Sequence, residues 1–265
     1  MAIIKIGNIS YYYELHGEGP ALVLISGFGA DHLTWRAVSP RLTGRFRVLL
    51  FDNPASGRTR DGGGELTIEG MADSAAALFE ALGLERPVLA GHSMGGSIAL
   101  PLAARRPELA RGLILINSAP RWGRRTLAAL EGVIRSAETG MDLDSRIGIL
   151  MKLLFGRKLL SDPVRAEKMR ALFLEEPYPS TLSDLKRQHR ALEKFDGTGL
   201  LSRIETPTLV VSGGEDIIAP PEEAGRLAAG IRGARLVRLP GGHVPQFECP
   251  DLLAEAILKF CDSQV

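Results

Sequence analysis

The sequence predicts an α/β fold: a mostly parallel sheet with helices on both faces, interrupted by one helical insertion. Three observations carry this. Short, wholly apolar runs recur along the chain, as strands covered on both faces require. Stretches of helical periodicity separate them, and strands alternating with helices imply parallel pairing through crossovers. The alternation then stops between about Ala119 and Ser202, where only helical patterns occur.

In chain order, Ala2–Ile6 and Ile9–Leu15 alternate in polarity around Gly7-Asn8 and read as a hairpin. Ala21–Ser26 is the first buried strand. Phe46–Phe51, Pro87–Ala90, Gly112–Ile116, Thr208–Val211 and Ala234–Leu239 repeat its character. Helices are expected over Thr67–Leu82, Gly95–Arg105, Pro221–Gly230 and Asp251–Asp262. Within the insertion, Leu127–Ile134, Ile147–Leu154, Pro163–Leu174 and Leu182–Leu192 have helical spacing, broken by Gly and Pro. The expected division is a core of residues 1–118 and 203–265 around an insertion of 119–202.

Composition narrows the function classes. The chain has 265 residues and a formal charge of +1, with 32 Lys+Arg against 31 Asp+Glu. That balance gives no electrostatic reason to expect a nucleic-acid partner, and no apolar run of bilayer-spanning length occurs, so no membrane association is expected. The first 20 residues lack the apolar core of a secretory signal. Cys249 and Cys261 are the only cysteines. On one terminal helix they would lie roughly 18 Å apart, too far for a disulfide. Two free thiols fit a reducing cytoplasm, the expected location. No Cys/His spacing suggests a metal site, and no cofactor is expected. Oligomeric state is not legible in the sequence.

The chemistry begins at Gly91-His92-Ser93-Met94-Gly95, a G-x-S-x-G pattern. In a chain with 30 glycines the pattern alone is weak. Its placement between an apolar strand and a helix is the context it requires. The glycines allow strand and helix to approach closely, the turn pushes the Ser93 hydroxyl clear of the sheet, and the helix N-terminus presents its positive dipole end. A neutral hydroxyl needs a base to act as a nucleophile. His243, after the last strand and Pro240-Gly241-Gly242, stands at a C-terminal sheet edge, where such sites collect. Asp216, in the loop after Thr208–Val211, is placed to orient it, with Glu215 as the local rival. Asp52 is expected to cap the turn after its strand. His92 is expected to pack, His16 and His189 carry no spacing signal, and His32 is a candidate to line a pocket. Backbone donors for a developing oxyanion are expected at Met94, next to the nucleophile, and at Phe28 in the Gly27–Gly29 loop.

With the order Ser93…Asp216…His243, the chain resembles the α/β-hydrolase superfamily, in its bacterial esterase, lactonase and C–C hydrolase branch. The resemblance rests on Ser26–Gly29, Phe51-Asp52-Asn53 with Gly57-Arg58-Thr59, Gly91–Gly96, Gly213–Pro220 and Gly241–Pro245, and so spans almost the whole chain. It implies a sheet of about eight strands, a helical lid formed by the insertion, and a Ser-His-Asp triad. Two segments depart from the usual pattern: Ser26 stands where the family usually has His, and Pro54-Ala55-Ser56 replaces an Arg-Gly-His-type turn. A serine at position 93 argues against the dehalogenase and epoxide-hydrolase branches, which use Asp.

The expected activity is hydrolysis of a small or medium carboxylic ester. Enol-lactone or C–C bond hydrolysis, a carrier-protein methyl esterase activity and a cofactor-free perhydrolase activity are the alternatives. Trp122, Phe155 and Val244 are substrate-pocket candidates alongside His32. The insertion Ala119–Arg203 holds 16 Lys+Arg and 11 Asp+Glu, a net +5, leaving −4 for the rest of the whole-chain +1. Arg121, Arg124 and Arg125 are expected at its entrance, where an anionic substrate or acidic carrier protein could be attracted.

Overall fold

The structure, a computed structural model, describes residues 2–263; Met1, Gln264 and Val265, the ends of the expected core ranges, lie outside them. Eight strands form one sheet in the order β1-β2-β4-β3-β5-β6-β7-β8. They are β1 (Ala2–Ile6), β2 (Ile9–His16), β3 (Ala21–Ile25), β4 (Arg47–Phe51), β5 (Val88–His92), β6 (Gly112–Ile116), β7 (Thr208–Gly213) and β8 (Arg235–Leu239). The hairpin β1–β2 and the β2–β4 pair are antiparallel; every other pairing is parallel.

The apolar runs explain why both faces are covered. Side chains alternate across a strand, and here both sets are buried. Val23 and Ile25, Leu49 and Phe51, and Leu113 and Leu115 enter one core. Leu22 and Leu24, Val48 and Leu50, and Ile114 and Ile116 enter the other. The first is roofed by α1 (Ile68–Ala81), α2 (Met94–Arg105) and later α8 (Pro221–Gly230), the second by α10 (Pro250–Asp262) and the 3₁₀ turn carrying Trp35.

Between β6 and β7 lie α3 (Arg124–Glu138), α4 (Leu143–Leu154), α5 (Arg157–Leu160), α6 (Pro163–Leu174) and α7 (Leu182–Lys194), then a 3₁₀ turn, Thr198–Arg203. No strand occurs there among the described residues, apart from an isolated bridge between Arg121 and Asp196. α4, α5 and α6 share a small core of their own around Ile147, Met151, Leu159 and Met169.

Most helix and strand ends fall within two residues of the sequence expectation, but α3 begins three residues earlier and ends four later, α4 begins four residues earlier, and the short helices Arg157–Leu160 and Pro245–Glu248 were not expected. One shift has a physical cause: Cys249 is not inside the terminal helix. The chain makes a short helix α9 (Pro245–Glu248), breaks at Cys249, and restarts at Pro250, which is well suited to a first helical position. Both cysteines are free. No helix among the described residues is long and apolar enough to cross a membrane.

Candidate active site

β3 has β4 on one side and β5 on the other, so the chain's direction of travel across the sheet reverses there. The crevice beyond the carboxyl ends of β3 and β5 is where ligands bind in open parallel sheets, and the residues after those strands meet in it. Ser93 ends β5 and begins α2 with φ 55° and ψ −121°, a conformation that costs a non-glycine residue about 1–3 kcal/mol. The surroundings hold it there. A Cβ on Gly91 would collide with the Gly95 carbonyl, and one on Gly95 with the Ile25 carbonyl. The Ser93 N–H donates to Ile116 O at 2.9 Å. The G-x-S-x-G glycines are thus required by contact.

His243 Nε2 lies 2.9 Å from Ser93 Oγ, and His243 Nδ1 lies 2.8 Å from Asp216 Oδ2. All three residues are buried. A carboxylate only accepts, so Nδ1 carries the proton and Nε2 is free to accept from the serine hydroxyl. Asp216 Oδ1 takes the Ile218 and Ala219 N–H groups at 2.8 and 2.9 Å, so both carboxylate oxygens are engaged. Glu215, the rival, turns outward and pairs with Arg157 at 2.8 Å.

The backbone of His243 is held as firmly as its ring. Its carbonyl accepts from His92 Nε2 at 2.7 Å and from Asn117 Nδ2 at 2.9 Å, and its N–H donates to Leu154 O, at the end of α4, at 2.7 Å. Burial, with His243 beside it, pushes the His92 imidazole down to about 3, so it stays neutral and can keep donating through Nε2. Asn117, with φ 45°, also donates to Gly242 O at 2.9 Å and accepts from Gly213 N at 2.7 Å. It therefore ties the loop carrying Asp216 to the loop carrying His243. Sequence reasoning missed it; the available signal was an Asn closing an otherwise apolar strand.

Phe28 and Met94 flank the serine as expected. A Cβ on Gly27 would lie 3.1 Å from the Ser93 Cβ, so the Phe28 loop passes directly beside the nucleophile. Neither the Phe28 nor the Met94 N–H has a hydrogen-bond partner among the described residues. Ser26, where the family pattern has His, closes this loop by donating from Oγ to Asp31 O at 2.8 Å.

Above the serine lies a cavity of about 250 Å³. The core contributes Gly27–Asp31, Ser93, His243 and Val244; the insertion contributes Trp122, Leu130, Ile147, Leu150, Leu154, Leu172 and Phe173. Trp122 and Val244 thus line it, as the sequence suggested.

Two pocket candidates do not. Phe155 follows the end of α4 in extended conformation and turns into the insertion's own core, its ring 6.0 Å from that of Phe173. His32 is drawn behind the cavity wall: Nδ1 sits 2.7 Å from Asp52 Oδ1, and its ring centroid lies 4.8 Å from that of Tyr12. Asp52 also accepts from the N–H groups of His32 and Arg58, capping the turns as expected. Burial pushes the His32 imidazole down, but the hydrogen bond and charge of Asp52, with Asp31 and Glu14, overcome it and raise its pKa overall. Asp31, His32 and Asp52 bring three metal-ligand atoms within 4.8 Å of one another. The direct His32–Asp52 hydrogen bond already engages one of those atoms on each residue.

The basic cluster is also displaced. Arg121 and Arg124 border a separate depression with Glu193 and Glu223, which shares only Trp122 with the cavity. Arg125 is exposed and lines neither. The cations of the cavity wall are Arg36 and Arg146.

A strained serine on a strand–helix elbow, bonded to a histidine that is bonded to a buried aspartate, on this sheet topology, defines a class, and comparison with known proteins agrees. The family model described as alpha/beta hydrolase fold matches residues 20–250, and the chain belongs to that family. It is 31% identical to a protein of Azorhizobium caulinodans named "Putative carbamate hydrolase RutD", with 96% of each chain covered. Among solved structures, an esterase from Thermogutta terrifontis matches with TM-score 0.86 and 28% identity, covering 100% of this chain and 99% of that one. The enol-lactonase from Burkholderia xenovorans matches with TM-score 0.87 and 25% identity, covering 98% of this chain and 100% of that one.

Proposed function

We propose that the chain is a serine hydrolase that cleaves small or medium carboxylic esters through an acyl-enzyme on Ser93. The observation that carries this is the continuous contact from Ser93 Oγ to His243 Nε2 (2.9 Å) and from His243 Nδ1 to Asp216 Oδ2 (2.8 Å). Ser93 Oγ attacks the ester carbonyl carbon while its proton passes to His243 Nε2, and Asp216 stabilises the imidazolium. The Phe28 and Met94 N–H groups stabilise the oxyanion of the tetrahedral intermediate. Collapse expels the alcohol, which takes the proton from His243. A water, deprotonated by His243, then attacks the acyl carbon, and a second collapse releases the acid and restores Ser93.

The helical insertion acts as the lid. Its apolar wall suits an acyl group, and a cavity of about 250 Å³ lies just below the usual range of small-molecule sites, which favours small and medium substrates. The similarity to proteins named as an esterase, an enol-lactonase and a carbamate hydrolase supports attack on an activated carbonyl; the enol-lactone is the second reading, favoured by that structural match. Two free thiols support a reducing, cytoplasmic setting.

The test is fluorophosphonate labelling followed by p-nitrophenyl ester and lactone panels. Ser93 is expected to carry the label, and Ser93→Ala to lower kcat by roughly 10⁴-fold or more with its melting temperature retained. Unchanged turnover in that variant would reject the assignment.

A further inference from the structure

The two segments in which this chain departs from its family pattern lie next to one another, and one side chain of the insertion bonds to both surroundings. Gln188, on α7, is fully buried. Its Oε1 accepts the Gly29 N–H at 2.8 Å. Its Nε2 donates to Ser56 Oγ at 2.8 Å, Ala55 O at 3.1 Å and Pro54 O at 3.3 Å. The amide is therefore fixed in orientation: flipped, it would set its oxygen against the Pro54 and Ala55 carbonyls and its NH₂ against an N–H.

Both anchored segments are held in unusual backbone. Gly29 has φ 64° and Ala55 φ 63°. Leu185, one turn earlier on α7, presses on the same glycine: a Cβ there would lie 2.9 Å from Leu185 Cδ2. Gly29 directly follows Phe28, whose N–H is the second oxyanion donor in the mechanism above. The helix itself is firmly seated. Neighbouring Arg187 pairs with Asp61 at 2.7 Å, both side chains being nearly buried, and donates from Nε to Gly64 O at 2.6 Å.

We propose that Gln188 is a positioning residue: through its bonds to Gly29 and to the Pro54–Ser56 turn, the insertion sets the Phe28 N–H at the distance the tetrahedral oxyanion requires. The insertion would then be part of the catalytic geometry as well as a cover. This rests on the serine-hydrolase reading. A misplacement of about 1 Å at a reacting group can cost about 10²-fold in rate, and loss of a whole oxyanion donor about 10²–10³-fold.

The experiment compares wild type, Gln188→Met, Gln188→Asn and Ala191→Gly, the last a buried site on the same helix that lines no part of the cavity. Each is assayed for p-nitrophenyl ester turnover, for inhibition by a trifluoromethyl ketone, which forms a tetrahedral adduct on the serine, and for inhibition by the matching secondary alcohol, which does not. Gln188→Met is expected to lose roughly 10- to 100-fold in kcat with KM changed less than about threefold. The ketone should weaken by the same factor as kcat/KM and the alcohol by less than twofold. Gln188→Asn keeps an amide with both an acceptor and donors, one methylene short of its partners, and should lose less, in the same direction; it carries the test if Gln188→Met does not fold. Ala191→Gly should lower the melting temperature without altering the ratio of ketone to alcohol affinity. Equal weakening of both inhibitors, or kcat within twofold of wild type, overturns the proposal. Ser93→Ala run in parallel separates the failures: turnover retained there sinks the hydrolase reading itself, whereas turnover lost there with unchanged Gln188 variants sinks only the role of Gln188.

Discussion

The two walls of the cavity are built by different physics. At the sheet edge, position is held by hydrogen bonds: Asp216 uses both oxygens, His243 uses both ring nitrogens and its backbone N–H and carbonyl, and Asn117 spans the loops between them. On the insertion side, the wall is mostly leucine, isoleucine and phenylalanine at helical spacing on α3, α4 and α6. Reacting atoms tolerate displacements of only tenths of an ångström, and directional bonds supply that constraint. Substrate volume tolerates much more, and non-directional apolar packing supplies it. On the proposed function, one wall sets the reaction and the other the substrate's shape, and they meet at Gln188, Leu154 and the Asp31 seam.

The sharpest way to break this division is at Asn117. Asn117→Ala orphans the Gly213 N–H and removes a donor from the carbonyls of Gly242 and His243, all buried. Stability should fall by about 3 kcal/mol, and kcat/KM by roughly 100-fold as the loops carrying Asp216 and His243 lose their common strut. Chemical denaturation and ester kinetics measure both. A rate near wild type would mean that the loops hold themselves.

At the seam the effect expected is on stability. Burial, then the charges of Glu176 from the insertion and Asp52 from the core, push the Asp31 carboxyl up to about 7. An unfolded aspartate titrates near 4, so between about pH 4 and 7 the folded state holds a proton that the unfolded state has released. Stability from this group is complete below that window and is lost as pH rises through it. Asp31→Asn retains an oxygen for the Leu33 N–H and should remove this loss, on the order of 4 kcal/mol for a pKa raised from near 4 to about 7, so that its advantage over wild type grows from pH 4 to 8. Parallel melting curves in the two proteins across that range would refute it.

The smallest change sharpens the other wall. Leu150→Ala enlarges the cavity without touching the triad. The preferred ester should lengthen by a few carbons, with the long-to-short ratio of kcat/KM shifting roughly tenfold, while the fluorophosphonate labelling rate stays near wild type. An unaltered chain-length profile would show that acyl groups bind elsewhere.

Much was already present in the residue order. Strands that must be covered on both faces have to be apolar throughout, so their number and their alternation with helices are written locally, as at Ala21–Ile25 and Gly112–Ile116. A serine forced into a strand–helix elbow needs small neighbours, so Gly91 and Gly95 announced the site. Asp216 and His243 were legible because each stands just beyond a strand's end. What only the tertiary structure decided was which long-range partners meet. Gln188, Asn117 and Leu154 O act through hydrogen bonds to residues distant in sequence, and such bonds leave no periodicity behind. The same holds for His32 and Phe155: each sits in a plausible local context, but whether a side chain faces a cavity or a neighbouring core depends on what packs against it. Asp52 draws His32 inward, and Phe173 occupies the wall that Phe155 was expected to line.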